Sequence, residues 1–343
     1  MPKILATGGA GFIGSHITLE LLNSGYEVVV FDNLSNASVK SIERVARISN
    51  GAPVFIKGDV RDAAALDDLF EAHDIAAVIH LAGLKAVGES VQHPERYYDV
   101  NVAGSSTLFS AMLRHGVSRA VFSSSATVYG APAPETMPMD ELVPTGPVNP
   151  YGKTKLMVEK MLTDITSIGP GWRSMVLRYF NPVGAHPSGQ IGEDPLGVPD
   201  NLFPFIAQVA TGRRAALDIF GDDYNTPDGT AIRDYIHVMD LARGHVLAID
   251  YLLSSAALDN KTPVVNLGTG QGASVKQVHA AWEAACGFAI PAQVAPRRAG
   301  DVTIYCADST KAKQMLGWEA KYDLAQMCAD HWRWQKANPQ GYR

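Results

Sequence analysis

Thr7-Gly8-Gly9-Ala10-Gly11-Phe12-Ile13-Gly14 is the stretch that decides the fold. It follows an apolar run at residues 4–7 and opens a helix-period segment, which predicts a strand, a tight turn and a helix beginning near Phe12. Gly8 permits the turn, Gly11 lets the backbone approach a pyrophosphate, and Gly14 lets helix and strand pack closely. The helix start at Phe12 and Ile13 offers free N–H donors and the positive end of a dipole to phosphate. Glycine loops are common, and the spacing here is wider than the general dinucleotide fingerprint. The context supplies the specificity: a strand before, a helix after, and a second strand ending at Asp32. A carboxylate there accepts hydrogen bonds from ribose hydroxyls and repels a 2′-phosphate, so NAD is expected over NADP. The bland alternative is a strand-end Asp capping a turn. Asn33, Asp59, Val60, Leu81 and Ala82, at the ends of later strands, complete the candidate cofactor set with Gly8, Gly11, Gly14 and Asp32.

Outward from this loop, short apolar runs at 27–32, 54–57, 77–81, 120–123 and 175–179 alternate with amphipathic segments at 15–23, 63–71, 105–114 and 152–166. Near-continuous apolar strands between helices predict a parallel sheet covered on both faces, an α/β Rossmann-type doubly wound architecture. After Phe180 the chain turns rich in Gly, Pro, Asp and Asn, with helices expected at 202–211, 238–252, 310–316 and 324–336. A further helix is capped by Ser274, and a strand is expected at 263–267. The expected division is an NAD-binding unit over 1–180, with part of 233–267 returning to it, and a smaller C-terminal α/β substrate unit over 181–343.

Composition narrows the classes. The 343 residues are 46% apolar and 19% charged with a formal net charge of −6, which suits a compact fold and argues against a nucleic-acid partner. Cys286, Cys306 and Cys328 show neither metal-ligand nor disulfide spacing, so no metal is expected and the compartment is expected to be reducing. Met1-Pro2-Lys3 runs directly into the first strand, without the pattern of a signal peptide, and no apolar run is long enough for a bilayer. The expected location is the cytoplasm, with no membrane partner.

Asn149-Pro150-Tyr151-Gly152-Lys153-Thr154-Lys155 carries the chemistry. Asn149 reads as an N-cap and Pro150 as the first helical residue, which puts Tyr151 and Lys155 one turn apart on one face. A phenol titrates near ~10 and is a poor base at neutrality; a cation beside it favours phenolate. Such pairs also arise on solvated helix faces. Here Ser123-Ser124-Ser125-Ala126-Thr127 stands at the C-terminal end of a strand, where open parallel sheets bind ligands, so a hydroxyl can meet Tyr151 over a nicotinamide.

With these features the sequence resembles the extended short-chain dehydrogenases/reductases and, within them, the UDP-glucose 4-epimerases. The likeness runs over essentially the whole chain: TGGAGFIGSH from Thr7, HLAGLKAVGESV from His80, SSSATVYG from Ser123, NPYGKTK from Asn149, LRYFNPVGAHPSG from Leu177, RDYIHVMDLA from Arg233 and APRRAGD from Ala295. The resemblance implies redox-neutral interconversion of UDP-galactose and UDP-glucose, with Tyr151 as base and acid at the 4-hydroxyl. It implies that Lys155 holds the nicotinamide ribose, Ser125 orients the 4-oxygen and Lys85 contacts the cofactor. Tyr179, Phe180 and Asn181 would line the sugar pocket with Ala126 and Thr127. Asn201, Leu202, Asp218, Phe220, Arg233, Arg298 and Asp301 would grip UDP. Guanidinium groups suit diphosphate oxygens, although a lone arginine is more often a surface ion-pair partner. Tyr305 stands where the family carries a bulky residue in members restricted to glucose and galactose, which implies poor activity on UDP-N-acetyl sugars.

Three readings compete. A 4,6-dehydratase of the same family needs an Asp-Glu pair after the serine, where this chain has Ala126-Thr127. A UDP-glucuronate epimerase or decarboxylase needs a carboxylate-binding group that the sequence does not display. A non-catalytic NAD-sensing protein has no use for Tyr151 and Lys155. The family also suggests a homodimer through the segments 105–114 and 152–166, which could equally just cover the sheet.

Overall fold

A computed structural model describes all residues except Pro170, Val198, Asp200, Leu258, Ala299, Gly300 and Arg343. Its first half alternates β1 (Lys3–Thr7), α1 (Phe12–Asn23), β2 (Glu27–Asp32), α2 (Val39–Ile48), β3 (Val54–Lys57), α3 (Ala63–Ala72) and β4 (Ile75–His80). Two short helices, α4 (Val87–Gln92) and α5 (Pro94–Tyr97), and a π-helical turn at Tyr98–Ala103 lead into α6 (Gly104–Arg114). Then come β5 (Arg119–Ser123), α7 (Pro150–Ile168) and β6 (Arg173–Tyr179). The second half holds β7 (Asn181–Val183), α8 (Leu202–Ala210), β8 (Leu217–Phe220), β9 (Ile232–His237), α9 (Val238–Leu253), β10 (Val264–Leu267) and β11 (Gly272–Ser274). It ends with α10 (Val275–Cys286), β12 (Ala292–Ala295), β13 (Ile304–Tyr305), α11 (Thr310–Leu316) and α12 (Leu324–Ala337).

The main sheet has seven parallel strands in the order β10-β6-β5-β4-β1-β2-β3. Strand order therefore reverses between β1 and β4, the place where open α/β sheets bind ligands. Period-2 geometry explains why the strands read as continuous apolar runs. Ile4, Ala6, Val28, Val30, Ala77 and Ile79 point to one face, packed with residues of α1, α2 and α9. Leu5, Val29, Phe31 and Val78 point to the other, packed with residues of α3, α6 and α7. Both faces are buried, so no polar alternation survives.

β10, the strand expected at 263–267, pairs with β6 at the sheet edge, and α9 covers the same sheet. The remaining strands form two small sheets, one with β9 between β11 and β13 and β7 at its far end, the other of β8 and β12. Their core joins Phe203, Ile206, Tyr235, Trp282 and Met327 from α8, β9, α10 and α12. Ser274 caps α10 in a reciprocal box with Gln277.

Some expectations shift. The segment expected at 77–81 is a strand over Ile75–His80, leaving Leu81 outside, where its N–H bonds to the Thr7 carbonyl at 3.1 Å. α2 and the helical turns at 87–103 were not anticipated. Neither were β7, β9, β11, β12 and β13, whose two- to six-residue spans give little room for a period to show.

Candidate active site

The turn after β1 is built as its glycines require. Gly8 has φ +71°, and a Cβ there would lie 2.7 Å from the Ala82 nitrogen. A Cβ on Gly14 would meet the Gly8 carbonyl oxygen at 2.3 Å. Gly11 differs: its backbone is ordinary, and the nearest atom to an added Cβ is 3.4 Å away. Gly11 is the N-cap of α1, without a side-chain cap and without an acidic residue in the first turn. The first N–H groups of α1, at Phe12 and Ile13, are therefore left to an anion.

Asp32, at the end of β2, accepts from the Ala10 N–H at 3.0 Å and the Leu34 N–H at 2.8 Å. Burial raises its pKa, and those two bonds pull it back. Asn33 donates to Asp59 at 2.9 Å, and Asp59 also binds Arg61, which holds its carboxyl well below the usual range. Val60 is buried against α6, where a Cβ on Gly104 would reach its side chain. It can offer a ligand its backbone only. Leu81 and Ala82 continue β4, and Lys85 pairs with the buried Glu193 at 3.0 Å. These residues fit a dinucleotide: a cradle open at Gly11, free helix N–H groups and a carboxylate beside them.

The catalytic candidates sit at the C-terminal ends of β5 and β6. Asn149 caps α7, accepting from the Gly152 N–H at 2.8 Å, and Pro150 takes the first turn. Tyr151 and Lys155 then face the sheet, both buried. The Lys155 ammonium donates to the Ser123 carbonyl at 2.8 Å and lies 5.9 Å from the Tyr151 ring centre. Burial pushes the Tyr151 phenol up to about 12, with the Ser125 hydroxyl pulling the other way. Burial lowers Lys155 to about 8, opposed by Glu159. Ser125 accepts from the Thr127 hydroxyl at 3.0 Å, which fixes its lone pairs beside the phenol. Tyr179 is also buried, its phenol pushed up by burial and then by the charge of Tyr151.

The second half closes on this edge. The Tyr305 hydroxyl donates to the Ala126 carbonyl at 2.6 Å, and its ring lies 5.7 Å from that of Phe180. Asn181 starts β7, in register with Tyr235 of β9. Arg233 donates to Asp301 at 2.6 Å, Gln293 donates to Asp218 at 2.7 Å, and the Arg298 guanidinium lies 3.9 Å from the Phe220 ring centre. Asn201 is an exposed N-cap of α8, whose first residue is Leu202. The nucleotide candidates thus lie on β8, β9 and the segment before β13, apart from the Tyr151 cluster.

Sequence reasoning did not assign Asn101, Ser124, Glu159 or Arg178. Asn101 is buried in the π-helical turn, accepting from the Leu84 N–H at 2.8 Å and donating to Thr154 at 3.0 Å. It ties the loop after β4 to α7. Glu159 forms a buried ion pair with Arg178. The signal for Glu159 was present as the third member of the i, i+4, i+8 stripe begun by Tyr151 and Lys155. Among the described residues no group of His, Cys, Asp or Glu is arranged to hold a metal.

Residues 5–331 match a family model described as GDP-mannose 4,6 dehydratase. A UDP-glucose 4-epimerase of Bacillus subtilis (strain 168) is 54% identical over 340 residues, covering 99% of this chain and 98% of that protein. One from Mus musculus is 51% identical over 349 residues, covering 100% and 99%. The crystal structure of UDP-glucose 4-epimerase from Bifidobacterium longum in complex with NAD+ and UDP superposes with a TM-score of 0.93 at 48% identity, covering 99% of each chain. The Stenotrophomonas maltophila enzyme, with bound NAD and formylated UDP-arabinopyranose, gives 0.95 at 47%, again covering 99% of each.

Proposed function

This chain belongs to the UDP-glucose 4-epimerase family, within the wider group that the dehydratase model describes, and on that premise we propose that it interconverts UDP-galactose and UDP-glucose with NAD as resident cofactor. The observation that carries the reading is the buried cluster of Tyr151, Lys155 and the Ser123–Ser125 run at the C-terminal sheet edge. NAD, when bound, supplies an acceptor and donor of hydride at sugar C4 and a positive charge beside the phenol.

Tyr151 takes the proton of the 4-hydroxyl and gives it back after the ketone has turned over. At about 12 the phenol is neutral at physiological pH. Lowering its pKa to the operating pH, so that the phenolate forms, asks for roughly 7 kcal/mol of favourable charge interaction, and the ammonium of Lys155 supplies part of that. Ser125, its lone pairs directed by Thr127, holds the 4-oxygen. Gly8, Gly11, Phe12, Ile13, Gly14, Asp32, Asn33, Asp59, Val60, Leu81, Ala82, Lys85 and Tyr179 hold the cofactor. Asn201, Leu202, Asp218, Phe220, Arg233, Arg298 and Asp301 hold UDP. Ala126, Thr127, Tyr179, Phe180, Asn181 and Tyr305 line the sugar pocket. On this division residues 1–180, joined by part of 233–267, are the cofactor unit and 181–343 the nucleotide-sugar unit. A firm grip on UDP and an aromatic sugar pocket suit a substrate that must turn over without leaving.

A dehydratase is disfavoured, despite the description of the family model, because Ala126 is buried and Thr127 is spent on Ser125. Neither can move protons at C5 and C6. The deciding experiment is proton NMR of UDP-galactose with the enzyme and trace NAD. The glucose epimer should accumulate without net NADH; a 4-keto-6-deoxy product or stoichiometric NADH would sink the reading.

We further propose a homodimer, cytoplasmic, through α6 and α7. Leu113 on α6 and Met157 on α7 are both about half exposed, 49% and 45%, and are large apolar side chains that these two helices offer to a partner. Light scattering should give twice the monomer mass, and Leu113→Glu with Met157→Glu should give the monomer. No described helix is long and apolar enough to cross a membrane.

A further inference from the structure

Tyr151, Lys155 and Glu159 occupy successive turns of α7 on the face that meets the sheet, and all three are buried. Glu159 accepts three hydrogen bonds from two residues: Arg178 of β6 donates to it at 3.0 Å and 2.6 Å, and the Ser124 hydroxyl of the serine run donates to the same carboxylate. Arg178 is itself covered by the Tyr129 ring, 4.9 Å from its guanidinium carbon. A buried ion pair is a poor device for stability, because desolvation offsets its attraction. Its position, one turn beyond the catalytic lysine, asks for another reason.

The surroundings of Lys155 supply it. From β5 come the Ser123 carbonyl and the Phe122 ring; from β4 comes His80, which burial keeps neutral down to about 3. His245 of α9 meets the hydroxyl of the same Ser123 and stays neutral down to about 4, and Arg178 of β6 meets Glu159. None of these groups carries negative charge. Glu159 does, and it is the group that opposes burial at Lys155.

We propose that Glu159 is a positioning residue for the reaction: anchored by Arg178, its carboxylate holds the serine run against α7 and sets a negative charge one helical turn from Lys155 on the same buried face. The inference rests on the assignment of Tyr151 and Lys155 made above. Without that charge Lys155 becomes neutral at a lower pH, and Tyr151 loses the cation that favours its phenolate.

The test is the pH profile of kcat for UDP-galactose in NAD-loaded Glu159→Gln, which keeps volume and the Ser124 contact while removing charge. On the alkaline side of the limb kcat should fall about tenfold, against about twofold at neutral pH, while KM changes less than about threefold. The alkaline limb of the profile should move down by about one pH unit. Arg178→Met is the control: it breaks the ion pair and lowers the melting temperature but leaves the carboxylate, so the alkaline limb should stay in place or rise. If Glu159→Gln does not fold, the double variant with Arg178→Met removes both charges and should show the same downward move. An unmoved limb in the variant lacking Glu159, or an equal downward move in Arg178→Met alone, overturns the inference. Tyr151→Phe run in parallel separates the two levels. Full activity there would remove the epimerase reading itself, whereas an inactive Tyr151→Phe with an unmoved limb in Glu159→Gln removes only the role of Glu159.

Discussion

On the proposed assignment Tyr151 bears most of the chemistry, its phenol pushed up to about 12 by burial against the opposing pull of Ser125. Removing the hydroxyl leaves the fold and the cofactor cradle untouched, because the ring stays and the oxygen is not a structural donor among the described hydrogen bonds. Tyr151→Phe should therefore keep NAD and its melting temperature while kcat drops by about 10²- to 10⁴-fold. A variant turning over near the wild-type rate would mean that another group moves the proton. Tyr305 acts on shape. Its hydroxyl is fixed to the Ala126 carbonyl and its ring lies near Phe180, so as the proposed wall of the sugar pocket it has little freedom to retreat. UDP-N-acetylglucosamine should be turned over at least about tenfold more slowly than UDP-galactose, and Tyr305→Ser should narrow that gap. Coupled assays on both sugars read it directly, and equal wild-type rates would remove Tyr305 as the gate. Tyr151, Lys155 and Ser125 were legible from spacing, since i, i+4 on a capped helix and a strand-end serine run are one-dimensional signals. Glu159 showed only its place on the stripe, and Asn101 nothing, because their contacts depend on partners 19 and 53 positions away in Arg178 and Thr154.

At the scale of elements, the turn between β1 and α1 separates fold from binding. Gly14 packs against the Gly8 carbonyl and tolerates no Cβ, so Gly14→Ala should cost about 1–3 kcal/mol of stability. Gly11 has room for one in the protein itself, with φ −70° and ψ 178°, which alanine adopts freely. Gly11→Ala should keep the melting temperature of the cofactor-free enzyme within a few degrees and weaken NAD by about tenfold or more, since the methyl enters the cradle. Calorimetry with and without NAD measures both quantities. Unchanged NAD affinity would show that the dinucleotide does not approach the turn at Gly11. The same contrast explains what the sequence made readable. β1 to β6 bury both faces and announce themselves as apolar runs, whereas β9 reads Ile-Arg-Asp-Tyr-Ile-His, with Arg233 and Asp234 drawn to function and to loop anchoring. Asp234 spends its carboxylate on the N–H groups of Thr269, Gly270 and Ala307, contacts with no local signature. α2 carries a clear apolar spacing at Val39, Ile42, Val45 and Ile48, a local signal that was present and went unread.

For the whole molecule the largest unspent electrostatic quantity is its buried histidines. His16 and His80 are lowered to about 3, and His245 and His331 to about 4, all chiefly by burial. An unfolded imidazole takes its proton near ~6.5. Folded-state pKa values below the unfolded one mean stability that is complete above pH ~6.5 and is lost as pH falls toward the folded values. Each such histidine removes about 1.4 kcal/mol per pH unit in that window. Four together consume, within about two units, a stability of the size typical for a domain. The carboxyls of Glu20, Asp32 and Asp234, raised by burial, work in the opposite direction as acid is added, while those of Asp59, Asp67 and Asp223, lowered by arginine hydrogen bonds, act with the histidines. The cofactor-free enzyme should therefore unfold cooperatively near pH ~5, followed by the fluorescence of the buried Trp282, Trp318 and Trp334. A chain still native at pH ~4 would show that these imidazoles find protons or water inside the fold. NAD binds the native state alone, so at saturation it should displace the midpoint to lower pH, and the size of that displacement measures how much of the molecule's acid resistance the cradle at β1 commands.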